Sequence, residues 1–191
     1  MTSAAAAPIR RNDPERRDRI IDAALQVIAR DGVAGTSHRR VAAEADVPLG
    51  SMTYHFTGMD ELLTEAFTRF ADRAADDFEA RMARATGPAE AAAAVVSLID
   101  AEPLADPSAL VVTHELYTLA ARDPRFRTIT RHWMARSRRS LERWFDPTTA
   151  RVLDALVEGL TIHRALDVAR GPAGVADAAV RRVVGGRDVA G

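Results

Sequence analysis

The chain has 191 residues and 47% hydrophobic content, enough for one medium domain or two small ones with a packed core. The lack of cysteine excludes disulfides, thiolate metal sites and cysteine nucleophiles, and a formal net charge of −1 excludes a polybasic nucleic-acid binder, so any affinity for DNA has to come from a local patch. No apolar run approaches the roughly 18 residues that span a bilayer, and the N-terminus lacks a basic segment followed by an apolar one, so a cytoplasmic protein without membrane contact is expected.

Residues 1–12, with the run Ala4 to Ala7 and then Pro8, read as a disordered arm. Arg10 and Arg11 are there either as a solvated tail or as contacts to a DNA backbone. Asp13-Pro14 supplies a cap and a first-turn proline. Ile20, Ala24, Leu25 and Ile28 then fall on one face of a core helix that Gly32 ends, with Arg16, Arg17 and Arg19 outside. From Thr36 the chain predicts two short helices joined by a tight turn. Thr36 or Ser37 caps the first, which turns Val41, Ala42 and Ala45 inward and stops near Asp46. The turn needs a residue that tolerates positive φ, and aspartate is one of the few non-glycine types that does; Val47 plugs the angle, and Pro48 opens the second helix. On that helix Gly50, Ser51, Thr53, Tyr54 and His55 are small, polar or amphipathic, so its face wants a polar partner. Two readings fit: a helix lying in a DNA major groove, or an ordinary helical corner facing water.

The residue order from Val41 to Leu63, VAxEAxVxxGSMTYHFxxxxELL, with the amphipathic helix and Gly-containing loop before it, resembles the DNA-binding domain of the TetR family over about Arg16 to Leu63. The resemblance implies that Arg39 reaches a base or phosphate and that Leu49, Gly50, Ser51, Thr53, Tyr54 and His55 face the groove and backbone. The candidate DNA-binding set is therefore Thr36, Ser37, His38, Arg39, Arg40, Pro48, Leu49, Gly50, Ser51, Thr53, Tyr54 and His55. Two residues depart from the family pattern: Asp46 stands where glycine is usual, and Met59 where many members carry a phosphate-binding lysine. Arg40 or the N-terminal arginines are placed to compensate.

Beyond Asp60, Leu63, Phe67, Phe70, Ala74, Phe78 and Met82 recur at helical spacing and predict a long helix to about Ala85, broken by Gly87-Pro88. An Ala-rich helix follows to about Asp100. The pairs Asp106-Pro107, Asp123-Pro124 and Asp146-Pro147 mark three helix starts, giving helices at about 107–121, 124–145 and 147–169, with a short one at about 173–184. On the first of these Leu110, His114, Tyr117 and Ala121 share a face. The next carries a stripe of Ile129, Trp133, Ser137 and Leu141 beside a solvated face of Arg131, Arg136, Arg138, Arg139 and Arg143. Phe67, Phe78, His114, Tyr117, Trp133 and Ser137 form the candidate effector pocket, each with a core-packing reading beside it. The 147–169 helix has an apolar face too wide to be covered once, so Leu153, Leu156, Val157 and Leu160, with Val180 and Val183 of the last helix, are the candidate dimer interface. Packing within a monomer is the alternative, and the resemblance implies a four-helix dimer contact.

The expected fold is all-α: an arm at 1–12, a helix-turn-helix head at 13–62, a helical effector-binding and dimerisation body at 63–185 and a tail at 186–191. The expected function is a homodimeric, ligand-responsive repressor that binds a pseudo-palindromic DNA operator and an unidentified small-molecule effector. The alternative is an architectural or partner-recruiting DNA-binding factor without an effector. An enzyme is not expected: no phosphate loop or nucleophile elbow is present, and the five histidines, at 38, 55, 114, 132 and 163, show neither HxH nor HExxH spacing. No cofactor and no metal are called for.

Overall fold

A computed structural model describes residues 13–100, 107–167 and 172–185. Among these residues there is no strand, and no helix is long and apolar enough to cross a membrane. The helices are α1 (Arg16–Gly35), α2 (His38–Glu44), α3 (Gly50–His55), α4 (Met59–Ala83), α5 (Pro88–Asp100), α6 (Pro107–Arg122), α7 (Pro124–Leu141), α8 (Pro147–Leu166) and α9 (Val175–Gly185). The expected arm with Arg10 and Arg11, the Asp106 cap, Gly171 and the 186–191 tail lie outside the described residues.

Several helix ends differ from the expectation for local reasons. Asp13 does not cap α1 from the adjacent position. Its Oδ1 accepts the Glu15 N–H at 3.0 Å and its carbonyl accepts that of Arg16 at 3.2 Å, which makes Pro14-Glu15 a turn ahead of the helix. Gly32 breaks α1 at φ 68° and ψ 173°, but a last turn continues to Gly35 because Thr36 Oγ1 donates to the Gly32 carbonyl at 2.8 Å. At α2 the cap is Ser37, whose hydroxyl accepts the Arg40 N–H. Asp46 adopts φ 50°, and the Val47 N–H returns to the Ala42 carbonyl at 3.0 Å, closing the turn between the two short helices. α7 stops at Leu141 rather than near 145, and α8 at Leu166 rather than 169. Asp123 and Asp146 cap α7 and α8 as the Asp-Pro pairs predict.

Two cores hold the helices. The first joins Ile20, Val27 and Ile28 of α1, Val41 of α2, Met52 of α3 and Phe56 to Phe67 of α4, Leu116 of α6 and Phe126 of α7. It is continuous across the expected boundary at residues 62 and 63, so the head shares one core with the body. The second gathers Phe78 and Met82 of α4, Val95 and Ile99 of α5, Leu141, Phe145, Leu153 of α8 and Val180 of α9. α4 and α7 run side by side in the same direction through both. Arg125 Nη1 meets Asp60 at 3.0 Å near their starts, and farther along Arg136 meets Asp72, Asp76 and Glu79, with 2.8 Å from Nε to Glu79 Oε1. The solvated arginine face expected on α7 is thus corrected at two places: the Arg136 and Arg138 side chains are only 16% and 22% exposed, drawn inward by carboxylates of α4 and α8.

Candidate nucleic-acid interface

The exposed face of the head is set by what α3 buries. Met52 and Phe56, one turn apart, are 0% and 2% exposed in the first core, and Ser51 lies on the same inward side at 8%. This pins α3 so that Gly50, Thr53 and Tyr54 point away from the protein. Tyr54 is 84% exposed and Leu49 is 55% exposed, a large apolar expenditure on a surface that faces solvent among the described residues. A Cβ added to Gly50 would meet no atom of the described residues within 4 Å, so its smallness answers to no packing demand among them. Thr53 Oγ1 donates to the Gly50 carbonyl at 3.2 Å, and the Tyr54 ring stands edge-on to His55 at 4.9 Å. Burial first, then the Arg16 and Arg17 guanidiniums, holds His55 below the ordinary imidazole value, so the ring is neutral at physiological pH, with one donor and one acceptor nitrogen.

Of the other candidates, Arg39 is exposed and makes no ion pair among the described residues, whereas Arg40 already donates to the Gly35 carbonyl at 2.9 Å and meets Asp31 at 3.3 Å. The Thr36 and Ser37 hydroxyls serve the backbone, as described above. His38 is half-buried, and its Nε2 has no hydrogen-bond partner among the described residues. Pro48 is exposed at the entrance to α3. Met59 is half-buried against the first core, a packing residue in a place where a lysine would project a charge. Arg17, which the sequence offered only as one of several outward arginines, lies 5.0 Å over the Phe56 ring and pairs with Glu65, so a guanidinium is held beside the end of α3.

The expected pocket residues divide among three settings. Phe67 is fully buried, edge-on to Phe126 at 5.8 Å, and Phe78 belongs to the second core; both are packing residues. Ser137 is buried on α7. His114 and Tyr117 are half-buried on the flank of α6, whose buried face is Val112, Leu116 and Ala120 rather than the expected row. His114 Nδ1 donates to the Leu110 carbonyl at 2.8 Å, and Tyr117 stacks on Trp133 with ring centres 6.3 Å apart. Burial first, then the nearby Glu158 carboxylate of α8, raises the Tyr117 phenol above its usual range. Asp154, one turn earlier, is pushed up to about 6 by burial, with Arg138 at 3.3 Å pulling the other way. Sequence reading missed Asp154 and Glu158 because they interrupt a helix read wholly as an apolar interface; two carboxylates four residues apart in an apolar run were the available signal. On that interface Leu153 and Val180 are covered by the chain's own second core, while Leu156, Val157, Leu160 and Val183 stay half-buried and Val152, Leu166 and Val175 are 45%, 62% and 43% exposed.

A three-helix head that buries one side of a short helix and leaves the other open, carried on a helical body, defines a helix-turn-helix regulator. Residues 20–66 match the family model described as bacterial regulatory proteins, tetR family, and residues 86–186 match that of the tetracyclin repressor-like C-terminal domain. The chain belongs to the TetR family of transcriptional regulators. It is similar to the solved structure of the transcriptional regulator SCO7518 from Streptomyces coelicolor A3(2), with 50% identity, 90% of this chain and 99% of that one covered, and a TM-score of 0.83. The multidrug binding protein EbrR, solved in complex with ethidium, is 34% identical over 89% of this chain and 99% of its own, with a TM-score of 0.74. The nicotine-responsive transcriptional repressor HdnoR of Paenarthrobacter nicotinovorans is 46% identical over 52 residues, so the match spans about a quarter, 27%, of either chain.

Proposed function

We propose that this regulator is a homodimeric repressor whose head, residues 13–62, binds a pseudo-palindromic operator through Arg39 and the outer face of α3, and whose body, residues 63–185, binds a small-molecule effector that lowers operator affinity. The observation that carries the reading is α3 itself: Met52 and Phe56 anchor it, and Tyr54 and Leu49 stand in solvent where a major groove would receive them. One such helix reads few bases, so a twofold that sets two heads about 34 Å apart is needed for a specific site. The half-covered residues of α8 and α9 offer an apolar face for that twofold, and Gly159, whose added Cβ would meet nothing within 4 Å, leaves room for a partner helix to approach. Repression is by occupancy of a promoter in the cytoplasm.

An effector acts only through its difference in affinity for two states of the dimer, one whose heads match the half-site spacing and one whose heads do not. The shared first core makes such coupling direct, because α6 and α4 pack on the head and on the effector side at once. EbrR bound to ethidium supports a small-molecule role for the body over an architectural factor without effector. The reading is tested by incubating the protein with sheared genomic DNA at near-physiological salt and sequencing what is retained, since low salt would let nonspecific binding dominate. A few fragments sharing an inverted repeat are expected, and uniform recovery would reject a specific operator. On the recovered operator, Arg39→Ala and Tyr54→Ala should each weaken binding by about tenfold or more without lowering the unfolding midpoint, because both side chains are exposed.

A further inference from the structure

We infer that α3 reads the 5-methyl group of a thymine in each half-site, through the side chain of Leu49. The inference rests on the reading that α3 enters a major groove, and it names the base feature this face is chemically fitted to recognise. The sequence from Thr36 to Gly58 contains no lysine, asparagine or glutamine. No side-chain amide is therefore present there to grip an adenine by its N6 and N7, and a guanine has to be gripped by a guanidinium. Of the two arginines on α2, Arg40 is held by the Gly35 carbonyl at 2.9 Å and by Asp31 at 3.3 Å, which leaves Arg39 for a guanine. The carboxylates that could accept from a cytosine are engaged elsewhere: Glu44 meets Arg30 at 2.8 Å, and Asp46 sits in the turn at φ 50°.

What α3 itself offers first is apolar. Leu49 has helical backbone angles, φ −53° and ψ −35°, and stands one turn before Thr53, so the two side chains adjoin on the outer face. Leu49 is 55% exposed and Pro48 beside it is exposed, while Gly50 adds no Cβ that would hold the helix off a groove floor. The Thr53 hydroxyl donates to the Gly50 carbonyl at 3.2 Å, and the Tyr54 hydroxyl stands on the adjoining row, one turn after Gly50. An exposed leucine gains nothing from water, from a phosphate or from the polar edges of guanine, adenine and cytosine. The thymine methyl is the one apolar group that an unmodified base pair presents in the major groove, and covering it with Leu49 removes apolar surface of both partners from water.

The test uses the full-length protein and a duplex library of random sequence, selected at near-physiological salt. The tightest inverted repeat recovered is remade with each thymine replaced in turn, in both half-sites together, by uracil, which pairs identically and lacks only the methyl. Expected is a thymine position at which uracil lowers affinity by about tenfold or more, the product of about fourfold at each half-site. Leu49→Ala should bind the thymine duplex about as weakly as wild type binds the uracil one and respond to that uracil by less than about twofold, with the unfolding midpoint unchanged because the side chain is exposed. Arg39→Ala should weaken both duplexes and keep the uracil penalty. With that base pair changed to cytosine and guanine, 5-methylcytosine should bind tighter than cytosine and no tighter than thymine. Uracil tolerated at every position, or a penalty that Leu49→Ala leaves intact, overturns the inference while the operator reading stands. A preference for 5-methylcytosine over thymine would move the target to a methylated cytosine and overturn it as well. Recovery of no inverted repeat would reject the operator reading and the inference together.

Discussion

At Gly32 two constraints coincide and differ in weight. A Cβ there would lie 2.6 Å from Glu115 Oε1, but that oxygen ends a flexible side chain and can move. The backbone at φ 68° and ψ 173° occupies a region open in practice to glycine alone, which costs other residues on the order of 1–3 kcal/mol. Gly32→Ala should therefore lower the urea midpoint by about that much, and adding Glu115→Ala should restore little; full rescue would assign the cost to the clash instead. Asp154 makes a different prediction. Its carboxyl, pushed up to about 6 in the folded chain against 3.8 ordinarily, contributes stability that is fully present below 3.8 and lost as pH rises through about 6. Wild-type stability should fall between about pH 4 and pH 7 by up to about 3 kcal/mol from this group, and the pH dependence should flatten over that window in Asp154→Asn, read from denaturant midpoints.

Among the elements, α3 is six residues long and cannot hold itself helical in water. Its position comes from Met52 and Phe56, so Met52→Ala should remove about 2–5 kcal/mol and loosen the reading face together with the fold. This separates it from Tyr54→Ala, which should weaken DNA binding and leave the midpoint in place. α4 and α7 are joined by Arg136 among Asp72, Asp76 and Glu79, of which Asp76 is 68% exposed. Solvent screening keeps such contacts weak, and Arg136→Gln should lose only about 1 kcal/mol, a difference that shrinks in about 1 M salt. A loss unaffected by salt would point to the packing of the arginine stem rather than its charge.

For the whole molecule, the proposed dimer face predicts that Val152→Glu and Leu166→Glu, at positions 45% and 62% exposed, leave the protomer folded but shift it toward monomer in sedimentation. Operator binding should fall with dimerisation. An unchanged dimer would move the interface elsewhere. Much of this architecture was legible in the chain. The Asp-Pro pairs marked the starts of α7 and α8, the Asp46 turn was readable from its side-chain chemistry, and the order of residues from Val41 to Leu63 resembled one family. These are signals carried by a few neighbours along the chain, where local backbone preference and capping act. Which face of each helix meets which neighbour was decided by tertiary packing. It turned α6 so that Val112 and Leu116 are buried and His114 and Tyr117 lie on its flank, used Leu153 and Val180 inside the protomer, placed Phe67 and Phe78 in separate cores, and brought Tyr117 of α6 to Glu158 of α8. Helical periodicity gives the spacing of an apolar stripe but not the direction it faces, because that direction is set by close packing against residues distant in the chain.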